Sequence, residues 1–380
     1  MSENKSKDFD MEEDPFAGTP GLDPMLEWSE ETYYLDLIYK SIDDELCDST
    51  EITDNGLEIK NGVLLHYHGN ETEVVIPDSI TEIRAYDEDT VVFSAFSHCK
   101  SLKHVVIPAS VMKIGHGVFI GCENLESIVV DSNNSVYHSQ DNCLIETETK
   151  TLIAGCKNSI IPADGSVTAI ADAAFAKCTW LENIEIPQSV RSIGREAFDM
   201  CESLTSIVLP ESITDIDMWA FAGCSSVKRL VFPKTIQTIS ENSFLFLTSL
   251  ESIEVDSDNP YYHSKANCLI ETESKTLIMG CKSSIIPTDG SVVTIGAEAF
   301  WGCKGLESIV IPDTVTTLED GAFGLCNNLK SITIPNSVTH IGNRIFTGCH
   351  NIAIITPDGS YAEKYAKDDG KADVNDDLPF

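Results

Sequence analysis

The sequence predicts an α/β solenoid, a stack of about twelve short repeats that share a parallel β-sheet. Nine phenylalanines between Phe96 and Phe346 are separated by 23, 56, 23, 23, 23, 56, 23 and 23 residues along the 380-residue chain. Cysteine stands three residues after eight of these phenylalanines, and Leu247 takes its place once. A shift of 125 residues also superimposes residues 131–167 on residues 256–292, so a segment of several repeats was duplicated.

The first 55 residues form an acidic extension ahead of the repeats. They contain 17 acidic and 3 basic residues, and therefore supply 14 of the 36 net negative charges of the chain. Phosphate backbones and anionic membrane surfaces repel such a chain, so we expect no nucleic-acid partner. No apolar run approaches the ~18 residues of a membrane span, and we expect no membrane insertion. Residues 1–22 are predicted to be disordered because they combine high charge with few apolar side chains.

Residues 29–47 of the extension predict an amphipathic helix. Tyr34, Ile38 and Ile42 recur at a spacing of four residues after Ser29, which is a suitable N-cap. Two roles fit such a helix: it covers the first repeat, or it docks onto another protein.

The N-terminal sequence MSENKSKDFDMEED has no apolar segment of the kind that a secretory signal requires. The sequence therefore predicts a cytoplasmic protein. The alternative is a cell-surface or secreted protein, if the start codon is misassigned or export is non-classical.

Residues 56–357 are predicted to form the solenoid. In each repeat, LxxIxI alternates between inward apolar residues and outward residues, which predicts one short strand per repeat. Proline usually follows, and it ends the strand because it has no N–H to donate to the sheet. Serine or threonine stands two residues after this proline, as at Ser212, and we expect a ladder of their hydroxyls to bond the backbone of the turn.

The two long units, 131–167 and 256–292, carry the related segments CLIETETKTLI and CLIETESKTLI. Each segment predicts a hairpin of two short strands that projects from an edge of the solenoid. The cysteines of the repeats are predicted to be small buried core residues and not disulfide partners.

The repeat unit LxxIxIPxSVxxIGxxAFxxC resembles the BspA-type leucine-rich repeat over about 300 residues. Residues 56–80 resemble the first unit of that family, and residues 358–380, with GSYAEKYAKDDG, resemble its closing cap helix and tail. The resemblance implies a curved, right-handed leucine-rich-repeat array with the parallel sheet on its concave face and an irregular or short-helical convex side. It also implies a recognition role, often as a bacterial surface adhesin, and no enzyme activity.

No catalytic residues, metal ligands or cofactor are predicted. The chain has no HExxH, GxxxxGK[ST] or GxSxG motif, and no GxGxxG after a strand. Its carboxylates are so abundant that no acid–base pair stands out. His66 and His68 share one face of a strand, but no further ligands accompany them. We therefore expect a protein that is not an enzyme.

The outward strand positions would line the concave face, and they are the predicted binding residues. This set contains no aromatic anchor, which suits either a broad protein contact or no ligand at all. Its members are His104, Asn183, Glu185, Ser206, Arg229, Glu254, Ser308 and Thr333.

The duplicated motifs VYHS and YYHS supply a second candidate set, which consists of Tyr137, His138, Tyr262 and His263. Exposed tyrosine and histidine would suit a carbohydrate or protein contact. The favoured interpretation is that these aromatic residues anchor the inserts against the solenoid.

Together these features predict a non-enzymatic recognition scaffold that binds a protein partner without a cofactor. The alternative is a bacterial surface adhesin that binds host matrix or glycans.

Overall fold

The computed structural model describes residues 50–85, 94–350 and 352–368. The predicted disordered segment 1–22 and the predicted helix 29–47 lie outside these residues. From Glu51 onward the chain forms one compact unit, a β-solenoid of about 12 turns with parallel sheets and almost no helix. The helical part of the expected α/β class is therefore wrong for the described repeats.

The LxxIxI segments form a first row of parallel strands, as the sequence predicts. Alternate side chains of each strand are buried, because Ile and Val at every second position point into the core. The row is divided into three sheets of three strands each. Its strands are Glu73–Val75, His104–Ile107, Ser127–Val130, Ile207–Val208, Arg229–Phe232, Ser252–Val255, Ser308–Val310, Ser331–Thr333 and Ala353–Ile355.

A second row of parallel strands follows the proline turn, where the sequence predicted no strand. Each strand has two residues and pairs with its equivalent one repeat away, as Ile193 pairs with Ile216. Two residues are too few to show an alternating pattern, so this row leaves no periodic signal in the sequence. Its strands are Glu82–Ile83, Lys113–Ile114, Ala169–Ile170, Ser192–Ile193, Asp215–Ile216, Thr238–Ile239, Thr294–Ile295, Thr317–Leu318 and His340–Ile341.

The turn between the two rows is closed by its own backbone. The carbonyl of the proline accepts a hydrogen bond from the N–H three residues later, as Pro187 does from Val190. The expected ladder of hydroxyl bonds is wrong for most of these turns. The Ser212 hydroxyl does donate to the Val190 carbonyl, but five equivalent hydroxyls are buried without a hydrogen-bond partner. These belong to Ser110, Ser189, Thr235, Thr314 and Ser337.

The side of the repeat that carries Phe-x-x-Cys consists of turns, so of the two expected forms it has the irregular one and not the short-helical one. In most repeats the second residue before phenylalanine and the second residue after it have a positive φ. Around Phe198 these residues are Glu196, with φ of 56°, and Met200, with φ of 54°. A left-handed residue ends an α-helix, so two of them in each repeat prevent one from forming.

One α-helix, Tyr361–Asp368, closes the described part of the chain. Ser360 accepts a hydrogen bond from the Glu363 N–H, and Glu363 accepts one from the Gly359 N–H, so the first turn is capped at both points. Ala362 and Tyr365 pack onto the core of the last repeats. The helix therefore covers apolar surface that a further repeat would otherwise bury.

The phenylalanine rings fill the core as three separate stacks. In the longest stack, neighbouring ring centroids lie 5.2, 5.0 and 5.5 Å apart and the rings are parallel within 5°. This spacing matches the ~4.8 Å between strands, so each ring contacts the ring of the next repeat. The stacks are Phe96 with Phe119; Phe175, Phe198, Phe221 and Phe244; and Phe300, Phe323 and Phe346.

A three-stranded antiparallel module precedes each phenylalanine stack. The long-unit segments form the predicted hairpins, but these hairpins do not project: Leu144 and Leu152 are fully buried, and the last strand of each module pairs in parallel with the second row. The modules are Glu51–Ile52, Leu57–Lys60 and Val63–Tyr67; Tyr137–Gln140, Cys143–Glu146 and Thr151–Ala154; and Tyr262–Lys265, Cys268–Glu271 and Thr276–Met279.

Two glycines allow the modules to lie against the stacks that follow them. A Cβ on Gly155 would lie 1.9 Å from Cε1 of Phe175, and one on Gly280 would lie 2.0 Å from Cε1 of Phe300. Any side chain at these positions would displace the first ring of a stack.

The cysteine column is buried, as the sequence predicts. All twelve cysteines of the described residues are free thiols, and ten of them are buried. Within a stack each thiol donates to the carbonyl of the phenylalanine one repeat earlier. Cys201 donates to Phe175 at 3.2 Å and Cys224 to Phe198 at 3.3 Å. Cysteine is therefore a hydrogen-bond donor of the core as well as a small apolar residue.

Alkaline pH should destabilise the fold through these thiols. Burial raises the pKa of Cys143 and Cys268 to about 12 and raises that of Cys201 well above its ordinary value. Because the folded-state pKa exceeds the unfolded one, this stabilisation is complete below pH ~8.5 and is lost as pH rises toward 12. Urea unfolding should show the unfolding free energy falling by up to about 1.4 kcal/mol per pH unit for each such thiol.

A Cys201→Ala variant is the control. Its unfolding free energy should fall less steeply with rising pH, because it lacks one buried thiol. Alkylation of the native protein at pH 8 at the rate of an unfolded control would contradict the prediction.

Candidate functional site

Nine valines and isoleucines occupy equivalent positions of successive repeats, and seven of them are exposed while Val106 and Val231 are half-buried. Each stands two residues before the proline position of its repeat, and those that lie in strands pair in register, as Val75 with Val106 and Val106 with Val129. The most exposed are Ile160 at 71% and Ile285 at 72%. We call the twelve residues at this position the outward row: Val75, Val106, Val129, Ile160, Glu185, Val208, Val231, Glu254, Ile285, Val310, Thr333 and Ile355.

The sequence-based list of binding residues missed the most exposed apolar members of the outward row. It included Glu185, Glu254 and Thr333 but omitted Ile160 and Ile285, which belong to the two long units. The signal was available, because both isoleucines stand two residues before a proline, as in the ordinary repeats. In the segment SIIP two adjacent isoleucines interrupt the alternation with polar residues, so the pattern does not identify the outward isoleucine.

The remaining predicted binding residues stand four residues before the proline position of their repeats. They form a polar row beside the outward row. Asn183, Ser206, Arg229 and Ser308 are exposed, and His104 is half-buried. These residues bond along the stack: the Thr205 hydroxyl donates to Asn183 at 3.1 Å, and Nδ1 of His104 lies 2.9 Å from Oγ of Ser127. Of the eight predicted residues, His104, Arg229, Glu254, Ser308 and Thr333 lie in first-row strands, and the other three stand at equivalent positions of their repeats.

Arg229 and Glu254 form a paired charge on this face. The guanidinium Nε donates to Oε1 at 3.1 Å and Nη2 to Oε2 at 2.6 Å, in bidentate geometry across one repeat. These hydrogen bonds lower the pKa of Glu254 and raise that of Arg229. The two charges of the pair balance each other, and Glu185 is the other exposed carboxylate of the outward row.

The insert tyrosines are buried, so their rings are not available to a ligand. Tyr137 is 4% exposed and Tyr262 is 5% exposed. The Tyr137 hydroxyl accepts a hydrogen bond from the Ile114 N–H at 3.0 Å, and the Tyr262 hydroxyl accepts one from Ile239 at 3.2 Å. Ile114 and Ile239 end the second-row sheets that precede the modules. Each tyrosine therefore joins one sheet to the next module, as an anchor would.

The other residues of the duplicated motif also hold the insert in place. His138 and His263 are half-buried, and Nδ1 of each lies within 3.0 Å of the hydroxyl of the threonine that follows the adjacent strand. The Asn259 amide donates to the carbonyls of Pro233 and Ile236, and its oxygen accepts the N–H groups of Tyr261 and Tyr262. The motif is thus occupied by contacts within the solenoid.

The two histidines of the first module lie close together. The rings of His66 and His68 are 4.6 Å apart, and Nε2 of His68 lies 2.9 Å from Glu58. Within residues 50–85, 94–350 and 352–368, no three His, Cys, Asp or Glu side chains come together as a metal site would require. No helix in the same residues is long and apolar enough to cross a membrane.

A family model described as the BspA type leucine rich repeat region matches this chain with six copies. The matched residues are 57–153, 153–269 and 273–364, which together span most of the chain. Among curated proteins, none matches it.

Several solved bacterial structures are similar to the chain. A leucine rich cell surface protein from Faecalibacterium prausnitzii is 23% identical, with 84% of this chain and 97% of that chain covered and a TM-score of 0.49. A leucine-rich repeat protein from Eubacterium ventriosum is 24% identical, with 81% and 69% covered and a TM-score of 0.42. The pneumococcal vaccine antigen PcpA is 18% identical, with 81% and 82% covered and a TM-score of 0.46.

Tyr262 offers a direct test of the anchor role. A Tyr262→Phe variant keeps the ring but leaves the Ile239 N–H without its acceptor, so the free energy of unfolding should fall by about 1–2 kcal/mol. Tyr261→Phe is the matched control, because the adjacent ring is 47% exposed, and it should change that free energy by less than about 0.5 kcal/mol. Equal losses in urea unfolding of the two variants would rule out the hydroxyl as an anchor.

Proposed function

We propose that this chain, which belongs to the BspA-type leucine-rich repeat family, is a non-enzymatic scaffold that binds a protein partner through the outward row. The observation that carries the proposal is the exposure of valine and isoleucine on seven rungs, from 47% at Val129 to 72% at Ile285. Apolar surface of this extent on a highly charged chain is costly in water and is typical of interaction sites.

The geometry of the row favours a long, shallow contact. Twelve strand positions at ~4.8 Å spacing extend over roughly 55 Å, on a face that we expect to be concave. β-branched side chains are stiff, so little side-chain entropy is lost when a partner covers them. The polar row beside it offers hydroxyl and amide groups for hydrogen bonds at the rim.

The charge of the chain indicates the kind of partner. The net charge is −36, and the Arg229–Glu254 pair is neutral within the row. A partner with an apolar strip bordered by Lys or Arg would therefore be attracted at long range and fit the row at contact. No step of this proposal requires a catalytic group, a metal or a cofactor.

Two double variants test the row. Val208→Lys with Val310→Lys places charges on it, whereas Ile52→Lys with Met112→Lys makes the same charge change at apolar residues outside it, which are 63% and 51% exposed. Affinity for a partner isolated on the wild-type protein should fall about 100-fold for the first variant, since buried charges must be desolvated. The second variant should bind within about threefold of wild type. If both variants keep the wild-type affinity for the partner in biolayer interferometry, the outward row is not the contact.

A bacterial surface adhesin for host matrix or glycans is the second candidate, because the family resemblance implies that use. Protease shaving of intact native cells separates the two functions. An internal scaffold should be protected until the cells are lysed, whereas an adhesin should release solenoid peptides from intact cells. Binding of the same two double variants to a glycan array then shows whether the outward row or another surface carries the adhesion.

A further inference from the structure

An open cavity of about 340 Å³ lies where the second phenylalanine stack meets the third module. Its apolar lining includes Leu247, Leu269, Met279 and Trp301. The volume falls at the lower end of the range that small-molecule sites occupy in proteins. No residue of the outward row lines this cavity, so it is separate from the surface of the proposed function.

The equivalent place in the first copy of the duplication is closed. There Ile120 packs directly against Ala173 and Ala176, and all three are buried. A Cβ on Gly117 would lie 2.6 Å from Cδ1 of Ile120 and 3.2 Å from Cβ of Ala173. The backbone is left-handed at equivalent positions of the two junctions, with φ of 53° at Ala173 and 55° at Glu298, whereas the side chains differ.

Several positions of the cavity lining differ between the two copies. Small or neutral residues of the first copy correspond, 125 positions later, to carboxylates, an amide, a larger aliphatic residue and an indole. The pairs are His116 with Glu241, Gly117 with Asn242, Cys122 with Leu247, Ala173 with Glu298, Ala176 with Trp301, and Gly194 with Glu319. By contrast, the hairpin segments of the same duplication are nearly identical. The second junction has therefore changed in composition where it lines a cavity.

The lining carries negative charge and no basic residue. Glu241, Glu298 and Glu319 all line the cavity, and no Lys or Arg does. One carboxylate oxygen of Glu298, Oε2, is buried without a hydrogen-bond partner. Burial raises the pKa of Glu298, the nearby Glu241 charge adds to that rise, and Arg344 and Asn242 oppose it. A half-buried carboxylate is stabilised when a cation enters beside it.

The indole of Trp301 is fixed in place by the next repeat. Added Cβ atoms on Gly321 and Gly324 would lie 2.9 Å and 2.1 Å from its ring, so the ring rests on two positions that have no side chain. A fixed indole beside carboxylates is a suitable surface for an organic cation, because its π face attracts positive charge.

We propose that this cavity binds a small organic cation, an ammonium group on an apolar body, with the apolar body against Leu247, Leu269 and Trp301 and the charge beside Glu298. Leu247 has a specific part in this arrangement. It is the one residue that replaces cysteine after a repeat phenylalanine, so it adds apolar surface where other repeats place a thiol. The site binds by shape and charge and catalyses no step.

A charge series of one shape tests the proposal by isothermal titration calorimetry. The ligands are 2-phenylethylammonium, the neutral 2-phenylethanol and the anionic 3-phenylpropanoate. The ammonium should bind about tenfold more tightly than the alcohol, and the anion should not bind. Glu298→Gln should reduce the affinity for the ammonium about fivefold and leave the affinity for the alcohol unchanged.

Variants that carry the residues of the first junction should keep the fold, so that a loss of binding can be distinguished from misfolding. Glu298→Ala with Trp301→Ala recreates the residues at Ala173 and Ala176, where φ at Ala173 is 53° and φ at Glu298 is 55°. This double variant should fold and should lose binding of the ammonium. Trp301→Phe should retain it, and Glu211→Gln, an exposed change outside the cavity lining, should bind as wild type does.

Three results would overturn the proposal: equal affinity for all three ligands, ammonium binding by the Glu298→Ala/Trp301→Ala variant at wild-type affinity, or no heat from the ammonium with the wild type. In the last case, a higher melting temperature of the double variant would identify the cavity as a packing defect.

Discussion

Contact between identical side chains one repeat apart is the interaction on which the rest of this structure depends. Phenylalanine rings stack at 5.0–5.5 Å in the longest column, and within a stack the later cysteine thiols bond the carbonyl of the phenylalanine one repeat earlier. Both contacts require neighbouring repeats to superimpose at the spacing of parallel strands. They also hold left-handed residues such as Glu196 and Met200, which would be strained in isolation. A fixed length of 23 residues follows from that requirement.

Where the repeat length changes, the stack must begin again. The long units interrupt the period, and the phenylalanine column breaks at both places. A three-stranded module then starts the next stack, with Gly155 or Gly280 against its first ring. Tyr137 and Tyr262 bridge the interrupted sheet by accepting the backbone N–H that the missing strand would have bonded. The module at residues 51–67 has the same architecture and precedes the first stack, so the described solenoid consists of three segments of one design.

The same constraint identifies the side chains that are free to serve recognition. Inward residues, turn residues and the phenylalanine column are all committed to neighbour contacts, whereas the outward row points away from them. Val208 and Ile285 contribute exposed apolar surface there without a packing role. The second junction is different, because Glu298 and Trp301 stand there where the first copy has Ala173 and Ala176. The outward row is thus available because of where it lies in the repeat. The second junction differs because its side chains are not those of the first copy.

The sequence alone determined the repeat period, the first strand row and the buried cysteine column, because each depends on identity at a fixed spacing. It could not determine the second row, the turns or the modules. Two-residue strands such as Ser192–Ile193 have no periodicity, and left-handed backbone at Glu196 has no side-chain signal. The burial of Tyr262, the exposure of Ile285 and the cavity beside Trp301 depend on which repeats touch. Only the tertiary structure decides those contacts, since they join residues that are far apart in the chain.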